Sequence, residues 1–156
     1  MDIQKQIQEL KALSVFIGEV NPNVSKASVG WHITHSLIVI KAICKQLKSS
    51  DPKKCKPKFS FPKFLVVDLG YFPRGRAESP KFVLPKEVIT NEYIERQTHR
   101  VEELLPQIQN LDANNYIDHP MMGHIEYKRA KRFMSIHTNH HLKIIKDILK
   151  ANGIEK

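Results

Sequence analysis

Apolar side chains recur at helical spacing in four stretches of the chain, separated by intervals in which the period is lost. In the first stretch Ile3, Ile7, Leu10 and Leu13 alternate with Gln, Lys and Glu, which predicts an amphipathic helix ending near Gly18. Asn21-Pro22-Asn23 is turn chemistry, and Ser25 or Ser28 then caps a second helix running to about Lys48. That helix is apolar nearly all round: Trp31, Ile33, Leu37, Ile38, Val39, Ile40, Ile43 and Leu47 leave only the stripe of Lys41, Lys45 and Lys48 for water, so it should be deeply buried.

From Ser49 to Pro85 the pattern dissolves into prolines and a cluster of aromatic residues between Phe59 and Phe72. Excursions of this length are uncommon unless they cover something, and Phe64-Leu65-Val66-Val67 predicts a short helical turn within it. Thr90, followed by Glu92 and Tyr93, starts a third helix with Ile94, Val101, Leu104, Leu105, Ile108 and Leu111 inward; Pro106 should kink it. Asn114-Asn115, His119-Pro120 and Gly123 mark a second irregular connection, and a fourth helix is expected from about Ile125 to Ala151, stopping at Asn152-Gly153. No strand pattern stands out. The expectation is a single all-α domain over residues 1–156, a four-helix bundle with a long crossover loop between the second and third helices.

Composition narrows the class without changing this picture. With 156 residues, 41% of them hydrophobic, the chain can bury a real core without disulfides. Cys44 falls inside a helical pattern and Cys55 in a lysine-rich loop, so neither a disulfide nor a thiolate metal site is expected. The opening MDIQKQIQELKAL lacks the basic start and apolar stretch of a signal peptide, and the longest apolar run, Leu37 to Ile43, is broken by Lys41. A cytoplasmic protein with no membrane partner is expected. The net charge of +9 raises nucleic acid as a partner, but the lysines are spread over outer helix faces, with one dense group at Lys53, Lys54, Lys56 and Lys58. Without a recognition element this reads as a solvated basic surface, and no nucleic-acid partner is expected.

The chemistry lies in the histidines. At roughly 100° per residue, Ala130, Phe133, Met134, His137, His141, Ile144, Ile145 and Ile148 share one side of the fourth helix, opposite Lys128, Lys131, Arg132, Lys143, Lys146 and Lys150. His137 and His141 therefore sit inside a hydrocarbon stripe, with His140 at its edge. Side chains four apart on a helix are about 5–6 Å from each other, near enough for two imidazoles to reach one ion. Two buried imidazoles each need a polar partner, and a divalent cation satisfies both. A third ligand has to come from another helix, and the second offers His32 and His35; helical angle slightly favours His32.

These residues resemble the DinB-like superfamily, also called YfiT-like metal-dependent hydrolases. The matching segments are Ser28 to Leu37 (SVGWHITHSL), His119-Pro120-Met121-Met122-Gly123, and His137-Thr138-Asn139-His140-His141-Leu142. The resemblance implies a four-helix bundle with one histidine ligand on the second helix and an HxxxH pair on the fourth. Its second-helix pattern selects His35, giving His35, His137 and His141 as metal ligands. Zinc and nickel suit three neutral histidines, and iron is compatible.

The activity so implied is metal-dependent hydrolysis or thiol transfer on a small molecule, with a substrate or thiol cofactor as partner and a homodimer as a further expectation. His32, His140 and Asp118 are candidate bases, none singled out by spacing. Arg74 and Arg76 could face an anionic substrate from the long loop, although a surface connection is the plainer reading; His119 and Pro120 should shape the approach to the fourth helix, and Trp31 reads as core. The competing hypothesis is a non-catalytic bundle that binds a metal or ligand for stability, sensing or assembly.

Overall fold

The computed structural model of the chain describes residues 2–73 and 81–154. Helix α1 (Ile3–Ala12) is capped by Asp2, whose carboxylate accepts from the Gln4 N–H at 2.9 Å, and tightens into a 3₁₀ turn at Leu13–Phe16. Helix α2 (Val29–Ser49) is capped by Ser28, whose hydroxyl accepts from the Trp31 N–H at 3.2 Å. Ser25 instead places its hydroxyl 2.9 Å from His32 Nε2. Fourteen residues of α2 are buried, as its nearly continuous apolar surface predicts, and it packs most extensively against α5 (Tyr127–Ala151) and α4 (Asn91–Leu104).

The excursion between α2 and α4 contains the expected turn around Phe64: a single α-helical turn, α3 (Phe61–Lys63), widens into a π-type turn at Phe64–Asp68, where the Leu69 N–H donates to the Phe64 carbonyl. Two side chains anchor it. Lys63 is buried and donates to the carbonyls of Lys58 (2.6 Å) and His124 (3.0 Å), and Arg129 of α5 holds the Asp68 carboxylate through two hydrogen bonds of 3.1 and 2.6 Å.

Thr90 caps α4 as expected, but Pro106 ends the helix instead of kinking it: α4 stops at Leu104, and Pro106 opens a 3₁₀ turn to Ile108. The second irregular connection is a β-hairpin, contrary to the expectation of no strands. β1 (Tyr116–His119) pairs antiparallel with β2 (Gly123–Glu126), Ile117 facing Ile125 in the core. The HPMMG segment is its turn. Pro120 takes the position that favours a fixed φ, the Met122 N–H closes the turn on the His119 carbonyl, and Gly123 adopts φ +64°, which a side chain would oppose. Helix α5 therefore starts at Tyr127, two residues after the expected Ile125. It ends as predicted, Gly153 at φ +73° returning its N–H to the Lys150 carbonyl and Ile154 to Leu149. The described structure is thus mainly helical with one small two-stranded sheet, and no described helix is long and apolar enough to cross a membrane.

Candidate metal centre

Gly30 and the cap at Ser28 set where the first turns of α2 lie. The Gly30 N–H donates to the Ile17 carbonyl at 3.0 Å, and a Cβ at Gly30 would meet that same oxygen at 2.9 Å and Ile89 Cγ2 at 3.1 Å. This close approach seats Trp31, His32 and His35 against the middle of α5. Of the two second-helix candidates, His35 is the one that joins the HxxxH pair: His35, His137 and His141 each offer a nitrogen, and these nitrogens lie within 4.8 Å of one another. All three rings are buried, at 2%, 6% and 7% exposure. The helical angle that leaned toward His32 therefore misses the grouping, though His32 is close by.

Each ring has a defined setting. His35 Nδ1 is 2.9 Å from the Val83 carbonyl, which can only accept, so Nδ1 carries the proton and Nε2 is left as a lone pair. His141 Nε2 lies 3.2 Å from His137 Nε2, while His141 Nδ1 lies 2.9 Å from His32 Nδ1. His137 Nδ1 is buried and has no hydrogen-bond partner among the described residues. Trp31 stacks on His35 with ring centroids 4.7 Å apart and meets His32 edge-on; it is half-buried and forms a wall of the cluster, where the sequence suggested core. Phe72 meets His137 edge-on at 5.7 Å and lies 4.5 Å from His140.

Burial keeps the cluster uncharged. It holds His137 and His141 well below the ordinary histidine value of 6.5, and the neighbouring imidazoles, His35 and His140 among them, push in the same direction. His35 is lowered by burial against the opposing bond to Val83. His119, at the hairpin turn, is lowered by burial despite Asp118 beside it. Three neutral imidazoles are the protonation state that a cation requires.

The donor set fits a divalent ion on geometry as well. Two nitrogens bound to one tetrahedral zinc at 2.0–2.1 Å stand about 3.3 Å apart, close to the 3.2 Å between His137 and His141. Ligand histidines usually donate their second N–H to a protein acceptor; Val83 serves His35 and His32 serves His141. These three residues could hold a divalent metal.

The other sequence candidates are placed differently. Asp118 lies on the exposed side of β1, its N–H on the Gln46 amide oxygen. His140 packs edge-on against His141 with ring centroids 5.2 Å apart and also lines a cleft of about 930 Å³ along α5, together with Arg132, Asn139, Lys143, Ile3 and Ile108. None of the triad lines that cleft; Phe72, against His137, and His140, against His141, touch both. Arg74 and Arg76 lie outside the described residues. Cys44 is a free, buried thiol pushed up to about 12 by burial, and Cys55 is also free. Sequence reasoning missed Val83, since a backbone acceptor in an irregular stretch leaves no residue signature.

Compared with known protein families, with curated proteins and with solved structures, the chain matches none.

Proposed function

We propose that this chain is a DinB-like four-helix bundle that holds a divalent metal through His35, His137 and His141 and uses it on a small-molecule substrate, in hydrolysis or thiol transfer. The observation that carries this reading is the convergence of three buried, neutral imidazoles from two helices on one point. The bundle assignment is supported by the four long helices α1, α2, α4 and α5 and by the long excursion between α2 and α4.

When bound, such an ion supplies Lewis acidity, which activates water or a thiol as a nucleophile near neutral pH. Three histidines satisfy only part of a zinc, nickel or iron coordination shell and so leave room for a substrate group. The protein's own residues perform the remaining work. Val83 fixes the His35 ring through its carbonyl, Trp31 covers the His35 face, and Phe72 closes the His137 edge, so that water is restricted around the donors. A small thiol or an uncharged hydrolysable group fits this apolar surround better than a polyanion.

A second reading, a closed non-catalytic metal site, is favoured by one observation: the triad is almost fully buried and lines neither of the cavities found among the described residues. Two measurements separate the readings. Elemental analysis of the purified protein should find about one divalent ion per chain and none in the His137→Ala, His141→Ala double variant; equal metal content in both rejects the site. In cobalt-substituted protein, a visible spectrum that shifts on adding a small thiol or azide supports the catalytic reading, whereas an unchanged spectrum supports the closed one.

A further inference from the structure

His32 is not one of the converging donors, yet it is 4% exposed and both of its ring nitrogens are engaged. On one side Nδ1 lies 2.9 Å from His141 Nδ1, and on the other Nε2 lies 2.9 Å from Ser25 Oγ. Ser25 is itself held in place: its N–H donates to the Asn21 carbonyl at 2.8 Å, and its hydroxyl oxygen accepts from the Ala27 N–H at 3.1 Å. The turn before α2 thus reaches His141, on α5, through a buried imidazole.

We propose that His32, backed by Ser25, is a positioning residue of the metal centre, holding the His141 ring by Nδ1 so that Nε2 is the atom presented to the metal. The inference rests on the metal reading above. The hydrogen-bond chain can run in two directions. With Ser25 accepting from His32 Nε2–H, His32 Nδ1 accepts from His141 Nδ1–H, and His141 Nε2 is a free lone pair. With the chain reversed, His141 carries its proton on Nε2 and cannot ligate through it. A metal on Nε2 selects the first direction, which Ser25 can accommodate because a hydroxyl oxygen accepts two hydrogen bonds, here from Ala27 and His32. Val83 orients His35 with a carbonyl that can only accept, so that ring is set permanently; the orientation of His141 is set through a partner that can also donate. Outer partners of ligand histidines commonly change metal affinity by about 10–100-fold when removed.

The test is zinc affinity by competition with a chromogenic chelator, on the full chain and four variants, with folding checked by circular dichroism. His32→Leu should weaken zinc binding about 10–100-fold. His32→Asn, whose amide oxygen takes the place of the accepting Nδ1, should recover most of that loss. Ser25→Ala, on a half-buried turn that tolerates truncation, should cost a smaller factor, and Ser25→Ala added to His32→Leu should cost nothing more. Imidazole nitrogen chemical shifts of the zinc-loaded wild type provide a readout that a merely structural role would not produce: His141 should ligate through Nε2 with a proton on Nδ1, and His32 should carry its proton on Nε2. Wild-type zinc affinity in His32→Leu, equal losses in His32→Asn and His32→Leu, or ligation of His141 through Nδ1 would each overturn the proposal. A wild type that takes up no divalent metal is a separate result, and it removes the metal reading itself.

Discussion

The two ends of α2 both bury polar groups, but they satisfy them differently. At the C-terminal end Asn115 is buried and its amide donates to the Leu47 and Ser50 carbonyls and to Ser50 Oγ, while Ser50 Oγ accepts from the Tyr116 N–H. No buried side-chain atom of that cluster lacks a partner. At the N-terminal end the histidine cluster leaves His137 Nδ1 unsatisfied among the described residues, as is Thr34 Oγ1 on the same stretch of α2 as His35. Unpartnered buried polar groups destabilise a fold. A polar cluster that closes on itself tethers the hairpin to α2; at the histidine end an ion on the Nε2 atoms of His137 and His141 would still leave His137 Nδ1–H in need of an acceptor, so that end is completed only by groups beyond the described residues.

Metal should separate the two ends of α2 most strongly. Zinc at about 100 times its dissociation constant should stabilise the wild type by about 2.7 kcal/mol, a rise of about 5–10 °C in melting temperature for a chain of this size. The same addition to the His35→Ala, His137→Ala, His141→Ala triple variant should raise it by nothing measurable, and no zinc should change the cost of a substitution at Asn115. An equal zinc effect on wild type and triple variant would place the ion elsewhere.

Next in size is Asn115→Ala. It removes the amide that donates to the Ser50 carbonyl, while the Leu47 carbonyl keeps the Ser50 hydroxyl as a donor at 2.9 Å, and an unmet buried group costs about 1–3 kcal/mol. A loss of about 2 kcal/mol in urea unfolding is expected, with zinc affinity unchanged because the site is at the other end of the helix. Coupled loss of both would mean that the two ends do not behave independently.

The difference between the two ends bears on what could be read beforehand. Long helices were legible because their apolar residues repeat over many turns: Ile7 and Leu10 in α1 with Leu13 in the 3₁₀ turn that follows, and the full inner face of α5 from Ala130 to Ile148, are all buried as their spacing requires. The HxxxH pair was legible for the same reason, because four residues on a helix is a fixed distance. The hairpin was not, since each four-residue strand places a single apolar side chain in the core, Ile117 or Ile125, too few to establish a period of two. Nor was the buried Lys63, whose ammonium finds two carbonyls from remote chain segments. The outer partners of the triad, Val83 and His32, depend on contacts across 48 and 109 positions, which local pattern does not encode.

A smaller effect is expected at Gly30, where α2 meets the turn at Ile17. Alanine there gains up to about 1 kcal/mol of helix propensity, but its Cβ must sit 2.9 Å from a backbone oxygen, and overpacking of this kind costs about 1–3 kcal/mol. A net loss of about 1 kcal/mol is expected for Gly30→Ala. Because Trp31, His32 and His35 follow directly, zinc affinity should fall as well, which distinguishes it from Asn115→Ala. A stabilised variant with full zinc affinity would show that Ile17 and Ile89 yield easily.

The smallest effect at neutral pH should be that of His137→Leu in metal-free protein. Leucine removes the unpartnered Nδ1 and the burial of a polar ring, but it also removes the 3.2 Å neighbour of His141 Nε2; these oppose each other, and the stability at pH 7.5 should change by less than about 1 kcal/mol. Acid separates the two proteins. In the unfolded chain the histidines take up protons near 6.5, whereas burial and the facing rings of His35, His140, His119 and His32 hold His137 and His141 well below that value in the fold. The unfolded state therefore binds more protons below 6.5, and metal-free stability falls as the pH drops through that point. Urea midpoints measured from pH 7.5 to pH 5 should decline less steeply in His137→Leu than in the wild type, because one such imidazole is gone and the repulsion it exerts on His141 goes with it. Parallel declines would mean that His137 is not held neutral by the cluster, and the contrast between an open histidine end and a closed asparagine end would then rest on the hydrogen bonds alone.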